Sequence, residues 1–250
     1  MVVTEETYKH NEKEHNTNAA AEIVPFLMGI FQPKSVLDIG CGIGTWLYEF
    51  KKSGIPNVLG IDIPYVDKNL LSKYLKDNEF QITDLSKPFN LGKKFDLAIS
   101  LEVAEHLPEN AAHSFVHSII QHTDIVVFSA AVPFQEGQNH INEQWPEYWE
   151  EIFNSEGYIA YDFIRDKFWD NEKIDIWYRQ NIILYAKPGL VELQHFEPAK
   201  GRLSKIHPSL YVSRMKKLKH TQIKLKKITT KPAVKTALHV LVRSFAKWFD

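Results

Sequence analysis

A single cysteine, Cys41, in 250 residues excludes a disulfide framework and a structural zinc site built on thiolates. Apolar runs are short, and none approaches the roughly 18 residues that a membrane-spanning helix needs. The opening Met-Val-Val-Thr-Glu-Glu-Thr-Tyr-Lys-His lacks the basic start and apolar middle of a secretory signal. A soluble, reducing, cytoplasmic setting is therefore expected. Internal repeats and low-complexity tracts are missing as well. Against these absences stand 44% hydrophobic and 24% charged residues. That is enough apolar material for a buried core, which excludes a mostly disordered chain. At this length the core belongs to one globular domain with room for an appendage.

The net charge of −1 conceals a division. Residues 201–250 carry 13 Lys and Arg against one acid, Asp250, whereas residues 1–200 carry 17 against 30. Such asymmetry marks an acidic domain with a basic tail. We therefore expect a flexible polar arm over 1–17, a domain over 18–200 and a basic helical tail over 201–250.

Within the domain, Ala21, Val24, Leu27, Met28 and Phe31 recur at helical spacing. They predict a helix over Asn18–Phe31, with Asn18 as N-cap and Pro33 as the stop. Short apolar runs at 35–39, 58–63, 80–82, 95–101, 124–130, 159–163 and 181–186 read as strands, the last ending the sheet by about Pro188. Residues 45–52, 108–121 and 147–154 read as helices. Short buried strands alternating with helices predict an α/β domain: a doubly wound, Rossmann-like, seven-stranded sheet with helices on both faces.

In an open α/β sheet, ligands bind beyond the carboxyl ends of the strands. Asp38-Ile39-Gly40-Cys41-Gly42-Ile43-Gly44 stands at such an end, and its glycines let a ligand approach the backbone closely. The helix that follows offers its first, unpaired amides. Asp62 closes the second strand, where a carboxylate can accept from ribose hydroxyls. Asp84 follows the third, where a carboxylate can reach an exocyclic amine. The G-x-G-x-G spacing is not the G-x-G-x-x-G of dinucleotide sites, and Asp38 would repel a pyrophosphate. A cationic or amine-bearing ligand suits it better.

The run Val36 to Gly44 is similar to the first motif of class I S-adenosylmethionine-dependent methyltransferases. The resemblance covers about residues 18–188 and implies S-adenosylmethionine as cofactor. It implies that the backbone at Gly40 and Gly42 meets the cofactor's amino-acid end, that Asp62 holds the ribose and that Asp84 holds the adenine amine. Asp38, Gly44, Ile63, Leu85 and Leu101 belong to the same cofactor site. Cys41 is then a packing residue of the loop, not a nucleophile.

After the fourth strand comes Ser100-Leu101-Glu102-Val103-Ala104-Glu105-His106-Leu107-Pro108. On one helical turn Glu102 would face both Glu105 and His106, at i+3 and i+4. Two carboxylates and an imidazole on one side repel one another without a cation. Such donors suit Mg²⁺, Mn²⁺ or Fe²⁺; the alternative is that the cluster only shapes a pocket. After the fifth strand, Asn139-His140-Ile141-Asn142-Glu143-Gln144-Trp145-Pro146 supplies a second histidine, whose alternative role is to anchor its loop. The combination resembles the metal site of the 2′-O-methyltransferases that cap small-RNA 3′ ends, which implies Glu102, Glu105, His106 and His140 as ligands. The ubiquinone-pathway O-methyltransferases show a similar Glu-x-x-Glu-His. A bound cation would stabilise a forming alkoxide. Otherwise His106 or His140 would take the hydroxyl proton as general base, in a catalytic group that includes Glu105.

Trp145, Tyr148 and Trp149, and further on Phe168, Trp169, Trp177 and Tyr178, interleave with Gln, Asn and Glu. That mixture suits stacking on a sugar ring, although several of these aromatics, Trp149 first, are expected in the core. The runs Ser-Leu-Glu-Val-Ala-Glu-His-Leu-Pro, Phe-Ser-Ala-Ala-Val-Pro and Trp-Tyr-Arg-Gln-Asn-Ile are together like a group of bacterial and viral methyltransferases that accompany glycosyltransferases. This implies O-methylation of a sugar in a glycan or glycolipid. At Phe134-Gln135-Glu136-Gly137 the chain departs from a Gly-Gln-Gly-Gly type of loop. RNA and phenolic or quinone acceptors are the alternatives, and the acidic domain speaks against nucleic acid. A cofactor-binding regulator without turnover is a further reading. In the tail, Tyr211, Met215, Leu218, Gln222 and Leu225 fall at alternating steps of four and three among lysines. Val234, Leu238, Leu241, Phe245 and Trp248 share a second face. A basic amphipathic helix of this kind is expected on an anionic membrane surface or against a protein.

Overall fold

A computed structural model describes residues 15–229. The chain divides into two compact units, one ending at His207 and the other beginning at Pro208. The first contains α1 (Asn18–Phe31), β1 (Ser35–Ile39), α2 (Thr45–Lys52), β2 (Asn57–Asp62), α3 (Lys68–Leu71), β3 (Phe80–Ile82) and β4 (Leu97–Leu101). It continues with α4 (Ala112–Ile120), β5 (Ile125–Ser129), α5 (Pro146–Ser155), β6 (Ile159–Tyr161), α6 (Phe163–Phe168), α7 (Ile176–Asn181) and β7 (Ile183–Ala186). The second unit contributes α8 (Pro208–Thr229). The second apolar face foreseen in the tail, from Val234 to Trp248, lies outside the described residues, as does the arm before His15.

The seven strands form one sheet in the order β3-β2-β1-β4-β5-β7-β6. All neighbours are parallel except around β7, which runs antiparallel to both β5 and β6. The strands read as continuous apolar runs because both faces are covered. Val36, Leu97, Ile99, Val127 and Leu184 point into a core shared with α1, α2 and α6. Their neighbours Leu37, Ile39, Ala98, Val126 and Phe128 point into a second core, shared with α4 and α5. Phe153 of α5 stacks on Tyr185 of β7 with ring centroids 4.0 Å apart, both fully buried.

Several boundaries differ from expectation for physical reasons. Thr17, not Asn18, precedes the first helical residue, and the Asn16 side chain accepts from the Asn18 amide at 2.8 Å. The helix expected from Pro108 opens with a 3-10 turn, Glu109–Ala111, before α4. The strand expected to reach Phe163 stops at Tyr161, because Phe163 starts α6. The first unit also continues past residue 200. Leu203 is buried, the Ser204 amide donates to Glu147 at 2.9 Å, and the His207 amide donates to Gln180 Oε1 at 2.8 Å.

The topology places the site. From β1 the chain winds outward through β2 to β3, then returns to lay β4 on the other side of β1. At that reversal the segments leaving β1 and β4 stand side by side at the carboxyl edge of the sheet, where open α/β sheets bind their ligands.

Candidate active site

The turn after β1 is laced to β2. The Gly40 and Cys41 amides both donate to the Ile61 carbonyl, at 2.8 and 3.2 Å. Gly40 has φ +79°, and a Cβ there would lie 2.3 Å from Val103 Cγ2. Glycine is thus required twice, for the left-handed backbone and for the close approach of the segment after β4. Gly44, at φ +86°, caps α2. Cys41 is buried against Gly60 of β2, where a Cβ would lie 2.6 Å from Sγ. Burial, with Asp62 and Asp38 adding, pushes its thiol well up. Cys41 therefore packs the loop.

Asp62 ends β2 with both oxygens engaged, Oδ2 by the Gly42 amide at 2.7 Å and Oδ1 by the Ile63 amide at 2.6 Å. Burial pushes this carboxyl up to about 6, against the pull of those two amides. Asp38 is buried, and its Oδ2 has no hydrogen-bond partner among the described residues. Burial first, then Asp62, drives its carboxyl well above the usual range. This pair of confined carboxyls fits the cationic amino-acid end of a cofactor such as S-adenosylmethionine. Asp84 is different. It lies exposed beyond β3, paired with Lys87 at 2.7 Å and accepting from Ser86, and these partners lower its carboxyl. Leu85 and Leu101 are buried, and Ile63 is half-buried.

After β4 the chain does not enter a single helical turn. Glu102 has φ +57°, and a 3-10 turn spans only Ala104–His106. Glu102 therefore shares no helical face with Glu105 and His106. Its carboxylate accepts instead from Gln135 Nε2 at 2.6 Å and Asn181 Nδ2 at 3.0 Å, while Asn181 also donates to Gln135 Oε1 at 2.8 Å. Burial raises the Glu102 carboxyl although these amides oppose it.

Glu105, His106 and His140 do converge. One donor atom from each lies within 4.8 Å of the others. The two imidazoles meet edge to face, with centroids 4.9 Å apart. Glu105 is completely buried, and no side chain among the described residues hydrogen-bonds its carboxylate; the amides of Glu105 itself and Ala131 favour its ionised form. Burial and then the nearby Glu102 push its carboxyl far up. Burial pushes His106 down to about 4, with His140 adding to the effect. A carboxyl and two imidazoles are donor types that divalent cations take, and Glu102 stands outside this group.

The loop carrying His140 is held by a residue whose role carried no sequence signal. Glu143 accepts from His140 Nδ1 at 2.8 Å, from the Phe134 amide at 2.7 Å and from the Glu136 amide at 2.8 Å. Phe134, Glu136 and Asn139 all take left-handed φ along this tight path. A Cβ on Gly137 would lie 2.0 Å from His140 Nε2. The Ile141 and Asn142 amides donate to the Glu105 carbonyl at 2.9 and 3.0 Å, stitching the loop to the turn after β4. Of the lid aromatics, Trp149 and Phe168 are core, while Trp145 and Phe134 are exposed.

Residues 10–152, more than half of the chain, match the model of a methyltransferase domain. Among solved structures, DesVI of Streptomyces venezuelae is 16% identical with TM-score 0.53, covering 72% of this chain and 100% of its own. Magnesium protoporphyrin IX methyltransferase (ChlM) of Synechocystis PCC 6803 with bound S-adenosylmethionine is 18% identical with TM-score 0.50, covering 73% of this chain and 86% of its own. These identities establish likeness of fold. No curated protein matches the chain in sequence. With its strand order, its glycine turn after β1 and this match, the chain belongs to the methyltransferase-domain family, on the fold of the class I S-adenosylmethionine-dependent methyltransferases.

Proposed function

We propose that this protein is an S-adenosylmethionine-dependent O-methyltransferase that acts on a sugar hydroxyl of a glycan or glycolipid, with Mg²⁺ or Mn²⁺ held by Glu105, His106 and His140. The observation that carries the reading is Glu105. Ionising this completely buried carboxyl, which no side chain among the described residues hydrogen-bonds, is costly, and burial drives it toward the protonated form. A divalent cation offsets that cost, and two imidazoles stand ready as its other ligands.

When bound, S-adenosylmethionine supplies a methyl group on a positively charged sulfur, and a divalent cation supplies acidification of the acceptor hydroxyl. The chain's residues position both partners. Asp38 and Asp62 confine negative charge beside the glycine turn, where the cofactor's amino and ribose groups need acceptors. Val103, in contact distance of Gly40, holds the 102–106 segment against that turn. His106 stays neutral at physiological pH, which leaves a ring lone pair for ligation. Glu143, 2.8 Å from His140 Nδ1, orients that ring.

The acceptor class is supported by charge. From Phe95 to Ile164 the sequence has no Lys or Arg and 12 acids, and this stretch supplies the cluster and the His140 loop. A polyanionic RNA meets no cation on this stretch. Sugar hydroxyls suffer no such repulsion, and the exposed Phe134 and Trp145 offer faces for a ring. The test is methyl transfer from labelled S-adenosylmethionine to a panel of glycans, phenols and RNA, with and without EDTA. Transfer to a glycan that EDTA abolishes and Mn²⁺ restores is the expected result. Transfer indifferent to EDTA would overturn the metal, and transfer to RNA or phenols alone would overturn the acceptor.

A further inference from the structure

We propose that one face of helix α7 fixes the two segments between which the methyl donor binds, with Tyr178 and Asn181 as positioning residues for S-adenosylmethionine. The inference rests on the cofactor reading and is independent of the acceptor and the metal. Tyr178 and Asn181 stand at i and i+3, on one side of a six-residue helix. Asn181 Nδ2 donates to Glu102 Oε1 at 3.0 Å, and Glu102 is the first residue after β4. The Tyr178 ring meets Trp46 edge to face, with centroids 5.3 Å apart. Trp46 is the second residue of α2, directly behind the glycine turn. Helix α7 thus touches both segments at the carboxyl edge, the one leaving β1 and the one leaving β4. Burial, and next the Glu102 carboxylate, push the Tyr178 phenol up, so this ring too stands in the field of Glu102.

The end of α7 is itself held from behind by buried polar groups. Gln180 and Asn181 are 0% and 3% exposed. Side chains so confined destabilise the fold unless their partners are in place, and here the partners form a chain with one direction. The His207 amide donates to Gln180 Oε1 at 2.8 Å, and Gln180 Nε2 donates to Asn181 Oδ1 at 3.0 Å. Asn181 donates onward to Glu102 and to Gln135 Oε1, and Gln135 Nε2 closes the ring on Glu102 Oε2 at 2.6 Å. Arg165, completely buried and paired with Asp162, donates to the Gln180 carbonyl at 3.1 Å. Each amide in such a chain polarises the next, which stiffens the whole. Glu102 needs that support because it sits at φ +57°, a left-handed backbone that a glutamate holds only under constraint. Apolar side chains at 180 and 181 would fill the core without such partners. The amides converge instead on one carboxylate at the ligand edge of the sheet.

The experiment is calorimetric titration of the full-length chain with S-adenosylhomocysteine, together with hydrogen–deuterium exchange of the same chain with and without it. Expected in the wild type is slower exchange at residues 176–181 once S-adenosylhomocysteine is bound, by linkage between cofactor and helix. Asn181→Ala and Tyr178→Leu are each expected to weaken binding by about tenfold, the effect of losing one hydrogen bond to a charged group or one packed aromatic contact. Glu102→Ala is expected to weaken it to a similar degree. Adding Asn181→Ala to Glu102→Ala is expected to weaken it no further, because Asn181 acts through Glu102. A merely structural Asn181 would lower the melting temperature and add its own loss to that of Glu102→Ala. Full additivity, wild-type affinity in both single variants, or exchange at 176–181 indifferent to S-adenosylhomocysteine overturns the proposal. The exchange measurement needs no variant, so it decides the matter even where a substituted chain fails to fold. Absence of any S-adenosylhomocysteine binding by the wild type overturns the cofactor reading, and this inference with it.

Discussion

Asp62 shows how one side chain serves two masters at the glycine turn. Its carboxylate already accepts from the Gly42 and Ile63 amides, yet burial lifts it from the usual 3.8 to about 6. A carboxyl harder to ionise in the folded chain than in the unfolded one destabilises the fold once ionised. The cost is absent below about pH 4, grows up to about pH 6, and reaches on the order of 3 kcal/mol above that. Asp62→Asn removes this dependence. Thermal melts from pH 4 to 8 are expected to fall less steeply for the variant, while calorimetry shows weaker S-adenosylhomocysteine binding by about tenfold or more. Parallel melting curves would show that Asp62 ionises without cost. Cys41 gives a simpler test. Buried with its thiol pushed up, it is expected to resist alkylation until the protein unfolds, and rapid labelling of the native chain would contradict its packing role.

The loop between β5 and α5 depends on Glu143, which binds His140 and two backbone amides at once. Glu143→Ala is expected to weaken Mn²⁺ binding by ten- to a hundredfold, the usual effect of removing a carboxylate that orients a ligating histidine. Electron paramagnetic resonance of added Mn²⁺ reads this directly, and unchanged affinity with intact wild-type binding would remove Glu143 from the site. Gly40→Ala is expected to cost about 2 kcal/mol or more, from left-handed strain and the collision with Val103. A denaturant titration measures it. These contacts also show which features could be read along the chain. The elements α1, β1, α2 and β3 stand at the residues expected from apolar periodicity, a local signal. The helices α6 and α7 are only six residues each, too short for that signal, and depend on packing. Glu102 was expected on a shared helical face, and a single positive φ removed it from that face.

At the scale of the whole molecule, charge bears on the proposed acceptor. From Phe95 to Ile164, the stretch that supplies Glu105, His106 and His140, the sequence has 12 acids and no Lys or Arg. A phosphorylated form of an accepted sugar is therefore expected to show kcat/KM lower by about tenfold, with the gap closing as salt rises. Kinetics on the matched pair test this, and equal values at low salt would contradict it. The chain alone determined the glycine turn, its acidic companions, the α/β alternation and the basic tail, because each is a local pattern of residue type and spacing. Which loops meet was decided by folding. The order β3-β2-β1-β4-β5-β7-β6 sets β4 beside β1 and lets Val103 reach Gly40, residues more than sixty positions apart. The choice of Glu105 over Glu102 beside the two imidazoles belongs there too. Both are carboxyls after the same strand, but side-chain amides from two distant segments reach the half-buried Glu102, and no side chain among the described residues hydrogen-bonds the buried Glu105 carboxylate. No periodicity encodes such a meeting, since it depends on strand pairing and on the path of a loop.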